Sequence, residues 1–208
     1  MDQQRAAAEL QVIRQLMERP IRFSTMSGKS GILAGAAALG GLAASGWVWR
    51  NFHPLGRQLL LSGLIWAGVF LLSLGGAILL TWRRERSQGM AFWTPVKRRV
   101  LSAVLPPFLA AMALTAGVVI LLWSDPIGSA GLWMVIAPCW MLFYGVALWQ
   151  VGQFSVPPVR ALGVAFLAGG LVAALLPPLM RDPVATLGVS FGGFHLVYGL
   201  LVWRRYGG

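Results

Sequence analysis

Six long uncharged runs of apolar residues constrain this chain more than any other feature. Each run is 19 to 24 residues long, and none contains Asp, Glu, Lys or Arg, apart from Arg160 at the start of the fifth. Crossing the ~30 Å hydrocarbon core of a bilayer takes roughly 20 apolar residues in a helix. The runs also lack the period-2 alternation of a membrane β-barrel strand. The predicted transmembrane helices are Gly31–Trp49, Leu59–Trp82, Val100–Trp123, Ile127–Trp149, Val159–Leu179 and Val184–Trp203.

The composition and the short connections between the runs favour a single all-α domain, a polytopic membrane bundle spanning residues 1–208. Only 11% of the residues are charged, whereas a soluble globular domain has about 25%. The tripeptide LPP occurs at Leu105–Pro107 and at Leu176–Pro178, near the start of one span and the end of another. An inverted-repeat transporter has matched broken helices in its two halves, and this pattern does not match.

The basic residues predict the orientation of the bundle. Fourteen of the 17 Lys and Arg residues fall on the side of the two termini, and Arg50, Arg57 and Arg181 fall on the other side. Cytoplasmic loops carry the Lys and Arg excess, so both termini are expected in the cytoplasm. The net charge of +11 then reflects topology and attraction to anionic lipid. We therefore expect no nucleic-acid partner.

The segment before the first span has the pattern of an amphipathic helix over residues 3–19. Leu10, Ile13 and Met17 share one face, and Arg14 lies on the opposite face. Such a helix either lies in the membrane interface or docks a partner protein, and the sequence leaves both open. Because some thirty residues precede a full-length span, we expect that span to remain in the mature chain.

The connection between spans 2 and 3 is basic at both ends and aromatic in the middle. Its candidate contacts with lipid or a partner are Arg83, Arg84, Trp93, Lys97 and Arg98. A positive-inside loop resting at the headgroups explains this pattern, and a specific site for a lipid headgroup is the alternative.

One histidine, His195, lies in the middle of the sixth span. Gly188, Gly192 and Gly199 share its helical face, and small residues at such spacing let another helix approach closely. We therefore predict that His195 is neutral and buried between helices, because desolvation disfavours the charged ring. Its expected partner is a hydroxyl or a carbonyl of a neighbouring span.

Two prolines indicate candidate carbonyl partners for His195. Pro138 in span 4 leaves the carbonyl of Met134 without its helical donor, and Pro106 in span 3 does the same for Ser102.

Other roles for His195 have less support in the sequence. The second histidine, His53, lies in an outer loop, too far away to share a haem iron, and a metal site needs three or four converging ligands. Proton relay by a lone histidine lacks nearby acids, because all six carboxylates are predicted to lie in tails or loops. A pairing of His195 with Ser62, Ser73 or Ser190 stays open. We expect no catalytic site, no metal and no cofactor.

Three stretches together resemble a set of bacterial six-helix integral membrane proteins of no known activity. They are MERPIRFSTMSGKSGILAG (Met17–Gly35), KRRVLSAVLPPFLA (Lys97–Ala110) and GFHLVYGLLVWRRYGG (Gly193–Gly208). The resemblance implies a bacterial inner membrane and transfers no catalytic residue.

Three functions remain open at this point. The first is a non-enzymatic accessory, regulatory or structural subunit that acts through lipid, a protein partner or a second copy of itself. The second is a small channel or carrier for an apolar or weakly polar solute, built on proline-broken spans 3 and 4. The third is a redox subunit that uses His195 to bind a cofactor.

Overall fold

Six long apolar helices make up the fold. The computed structural model describes residues 28–87, 89, 93–125, 130–176 and 181–206, and over these residues the chain is all-helical. The helices are α1 (Gly28–Asn51), α2 (Leu55–Ser87), α3 (Pro95–Ser124), α4 (Ile136–Gly152), α5 (Pro157–Leu175) and α6 (Pro183–Tyr206). A 3₁₀ helix, Ala130–Val135, leads directly into α4. Each of the six spans is long and apolar enough to cross a membrane, so the protein is a multi-pass membrane protein.

The helix ends follow local sequence signals. Thr94 caps α3, because its hydroxyl accepts a hydrogen bond from the amide of Lys97 and Pro95 occupies the first turn. Asp182 does the same for α6, where its carboxylate accepts from the amide of Ala185 at 2.9 Å. Both arrangements satisfy amides that have no partner within the helix.

Helix α6 occupies a central position in the bundle. It packs against α1 on one side and against α4 and α5 on the other. Helix α2 packs on α1, and α3 packs on α4. Helices α2 and α3 meet where the rings of Phe70 and Phe108 stack, with their centroids 4.8 Å apart.

The contact between α1 and α6 depends on glycine. The helices run antiparallel, so that Gly28 lies beside Trp203 and Leu42 lies beside Gly188. A Cβ at Gly199 would lie 2.5 Å from the amide nitrogen of Ile32. Backbone therefore lies against backbone here, which explains why glycine is needed at this position.

Burial divides the bundle into two parts. In the most apolar 18-residue stretches of α1, α4, α5 and α6, 33 to 39% of the residues are buried. The corresponding share is 17% in α3 and 0% in α2. The protein therefore consists of a well-packed group of four helices and a hairpin, α2 and α3, that is largely uncovered.

One local expectation is refined and another is wrong. Pro138 lies within the apolar span Gly131–Gly152, just after the point where the 3₁₀ helix Ala130–Val135 passes into α4 at Ile136, so a change of helix type accompanies the proline. Glu85 does not lie in a loop, because α2 continues past the membrane span to Ser87.

Candidate functional site: a tyrosine–histidine pair in the membrane interior

His195 forms a hydrogen-bonded pair with Tyr144. The Tyr144 hydroxyl on α4 lies 2.8 Å from Nε2 of His195 on α6. The other ring nitrogen, Nδ1, lies 2.8 Å from the carbonyl oxygen of Phe191, one turn earlier on α6. His195 is only 7% exposed, so both of its ring nitrogens are satisfied inside the protein.

The partners of the ring determine where its protons lie. A carbonyl oxygen can only accept, so Nδ1 carries the hydrogen and donates it to Phe191. In the neutral ring Nε2 is then bare, and it accepts the hydroxyl hydrogen of Tyr144. This arrangement selects one tautomer and one ring orientation.

Aromatic rings surround the pair. Phe166 of α5 is fully buried, and its ring centroid lies 4.8 Å from that of Tyr144 and 5.4 Å from that of His195. Phe191 lies 5.1 Å from Tyr144, and its ring stacks on His195 at 5.9 Å. These are contact distances for aromatic rings. The pair is therefore enclosed by side chains from α4, α5 and α6.

The glycines and the histidine of α6 face different neighbours. Gly188 and Gly192 lie against Leu42 and Leu39 of α1, and Gly199 lies against the backbone of α1. His195 instead reaches α4. The glycines of α6 thus bring α1 close, whereas His195 binds α4. Residues on one face of α6 can meet two different neighbours because α6 is central and an apolar helix face is wide enough to contact a helix on each side.

The carbonyls of Met134 and Ser102 are not the partners of His195. Both ring nitrogens are taken by Tyr144 and Phe191. The Ser102 hydroxyl donates to the carbonyl of Arg99 at 2.9 Å, near the N-terminal end of α3.

Two of the three serines that the sequence offered, Ser62 and Ser190, have other partners. The Ser190 hydroxyl donates to the Thr186 carbonyl at 2.7 Å, and the Ser62 hydroxyl accepts the indole hydrogen of Trp49 at 3.1 Å. The structure therefore does not show the serine–histidine pairing that the sequence left open.

The basic residues of the α2–α3 connection lie together at one end of the hairpin. Lys97 forms a salt bridge with Glu85, which is 4% exposed. Arg83 and Arg98 are exposed, Arg84 is half-buried, and Trp93 is exposed at the surface. Leu10, Ile13, Arg14 and Met17, the predicted residues of the N-terminal helix, lie outside the described residues.

Sequence reasoning missed Tyr144 and the pairing of Glu85 with Lys97. The position of Tyr144 is a signal that could have been used. Tyrosine in membrane spans favours the interfaces, whereas Tyr144 lies in the middle of its span. Nothing local indicates that Tyr144 and His195 are paired, because they are 51 residues apart.

No family model, curated protein or solved structure matches the chain. Among the described residues, no group of three or more His, Cys, Asp or Glu side chains is placed to hold a metal ion.

Proposed function

We propose that this protein is a non-enzymatic membrane subunit that acts through partners within the bilayer. We place it in the inner membrane of a bacterium, with both termini in the cytoplasm, as the distribution of basic residues favours. The observation that carries the proposal is the uncovered α2–α3 hairpin, since no residue in the most apolar stretch of α2 is buried.

One face of α2 has the composition of a helix contact but no helix against it. Gly68, Leu72, Gly75 and Leu79 follow each other at helical spacing and are all exposed. A Cβ at either glycine would meet nothing within 4 Å. Small residues between larger ones are typical of surfaces where membrane helices pack. We call these four residues the α2 stripe, and we propose that a partner helix covers it.

Photocrosslinking in native membranes tests this proposal. A photoreactive residue at Leu72, on the α2 stripe, is expected to give a discrete crosslink to a protein. Leu74 is the matched control, because it is also an exposed leucine at nearly the same depth but lies off the stripe. The crosslink should disappear when Gly68→Leu is introduced. The proposal fails if both positions crosslink only to lipid, or if Leu74 gives the same protein adduct as Leu72.

Two rival functions remain. A carrier built on proline-broken spans is one of them, because the fourth span changes from a 3₁₀ helix to an α-helix two residues before Pro138. A redox subunit with a cofactor on His195 would require the Tyr144 hydroxyl to leave Nε2. A visible-absorption spectrum of the purified protein checks the second point, because a haem band would overturn the proposed function.

A further inference from the structure

The cytoplasmic end of the α2–α3 hairpin carries more positive charge than its described residues neutralise. Its described parts, residues 83–87 and 93–99, contain one acid, Glu85, which is buried and already paired with Lys97. The remaining basic side chains are Arg83, Arg84, Arg86, Arg98 and Arg99. An anion at this end would therefore meet five arginines and no free carboxylate among the described residues.

Arg84 has a hydrogen-bond donor that lacks an acceptor. Its Nη1 atom is buried and has no hydrogen-bond partner. Leaving a buried donor without an acceptor is unfavourable, and more so when the group is charged. In folded proteins a bound water or ion commonly accepts the hydrogen bond of such a donor. A guanidinium favours a phosphate in particular, since its planar fork can bind two phosphate oxygens at once.

The neighbouring side chains place this site at headgroup depth. The guanidinium of Arg86 lies 5.2 Å from the centroid of the Trp82 ring, and tryptophan favours the membrane interface. Towards the bilayer interior, Ile78 of α2 and Leu101 of α3, which lie outside the α2 stripe, are exposed. The arginines therefore suit an anionic headgroup, and the exposed apolar side chains suit acyl chains.

We infer that the α2–α3 hairpin binds the phosphate headgroup of an anionic phospholipid, with Arg84 as the central ligand and Arg83 and Arg86 beside it. The acyl chains of this lipid lie along exposed apolar side chains of the hairpin that are outside the α2 stripe. This inference deepens the proposed function and rests on it, since it names one partner of the same uncovered hairpin.

Lipid-dependent thermal unfolding of the purified full-length protein tests the inference. Phosphatidylglycerol should raise the unfolding temperature more than phosphatidylcholine with the same acyl chains. Each basic residue near anionic lipid contributes about 1 kcal/mol, which is about a fivefold change in affinity. Arg84→Gln should therefore raise the half-saturating phosphatidylglycerol concentration at least about fivefold. Arg84→Lys, which keeps the charge without the fork, should have an intermediate effect.

Arg57→Gln is the matched control, because it removes the same charge from an exposed position at the other end of α2. It should leave the phosphatidylglycerol response unchanged. Unfolding in phosphatidylcholine reports whether each variant folds, and Arg86→Gln supplies the same comparison if Arg84→Gln does not fold.

Three results would overturn the inference. One is equal stabilisation by the two lipids, and another is an equal loss of response in Arg57→Gln and Arg84→Gln. The third is the same stabilisation by inorganic phosphate alone, which would indicate a site for a free anion. None of these results affects the crosslink from Leu72, so failure of the lipid site and failure of the proposed function remain distinguishable.

Discussion

The hydrogen bond between Tyr144 and His195 matters mainly because its loss would leave a polar group unsatisfied in the interior of the bundle. Hydrogen bonds between membrane helices contribute about 0.6 kcal/mol on average and up to about 1.7 kcal/mol. The rings of Phe166 and Phe191 enclose the pair, and neither carries a polar side-chain atom. Neither residue can therefore replace a hydrogen-bond partner that the pair has lost. The pair therefore orients α4 against α6 more than it stabilises the fold.

Replacing His195 should separate the hydrogen bond from the volume of the ring. His195→Gln should retain most of the stability, because the amide oxygen can still accept from the Tyr144 hydroxyl. His195→Leu should cost about 1–2 kcal/mol, since it leaves that hydroxyl unsatisfied. Equilibrium unfolding in detergent measures both values.

Tyr144→Phe supplies the control for these variants. In a double-mutant cycle with His195→Leu, the two substitutions should couple by about 0.6–1.7 kcal/mol. Strictly additive losses would mean that the hydrogen bond does not stabilise the protein. A stable His195→Leu variant that has lost a measurable transport or redox activity would instead assign the histidine a functional role.

At the scale of elements, the α1–α6 contact should be sensitive to single methyl groups. Gly199→Ala should cost about 1–3 kcal/mol, the usual cost of overpacking, because its Cβ would lie 2.5 Å from backbone that cannot move aside. Gly192→Ala should cost less, since the nearest atom is the flexible end of the Leu39 side chain at 2.6 Å. The larger Gly192→Leu should destabilise more than either substitution of His195.

The matched control for the glycine series is Gly193→Ala. A Cβ at Gly193 meets nothing within 4 Å, and alanine favours a helix more than glycine does, so this variant should be at least as stable as the wild type. If Gly193→Ala and Gly199→Ala lose equal stability, close packing at Gly199 does not explain the effect.

The N-terminal segment, which lies outside the described residues, carries a prediction of its own. Residues 3–19 should form a helix whose apolar face, with Leu10 and Ile13, rests on the membrane or on a partner. Spin labels at these two positions should be less accessible to a water-soluble relaxation agent than a label at Gln11. Equal accessibility at all three positions would exclude an amphipathic helix.

For the whole molecule, the charge distribution predicts an even number of crossings with both termini in the cytoplasm. A reporter that is active only in the cytoplasm should work when it is fused after Gly208. The same reporter inserted at His53, in the short connection between α1 and α2, should be inactive. Activity of a periplasm-specific reporter at Gly208 would contradict this topology.

The helices themselves were readable from the sequence, because hydrophobicity and length decide whether a segment crosses a bilayer. The uncharged runs locate all six. The structure lengthens four of them, as in α2, which extends from Leu55 to Ser87, whereas α4 begins only at Ile136, after the 3₁₀ helix, and α5 ends at Leu175. The burial of His195 also followed from local reasoning, since an imidazole in the middle of an apolar span requires a partner inside the protein.

Which helices meet and which side chains pair depends on the three-dimensional packing of the bundle. Tyr144 and His195 are 51 residues apart. No local sequence pattern predicts that His195 contacts α4, or that the glycines of α6 contact α1. In a membrane every span is apolar on most sides, so hydrophobicity does not select its neighbours. That choice depends on close packing at positions such as Gly199 and on hydrogen bonds between helices. The uncovered state of α2 likewise becomes visible only when all six helices are in place.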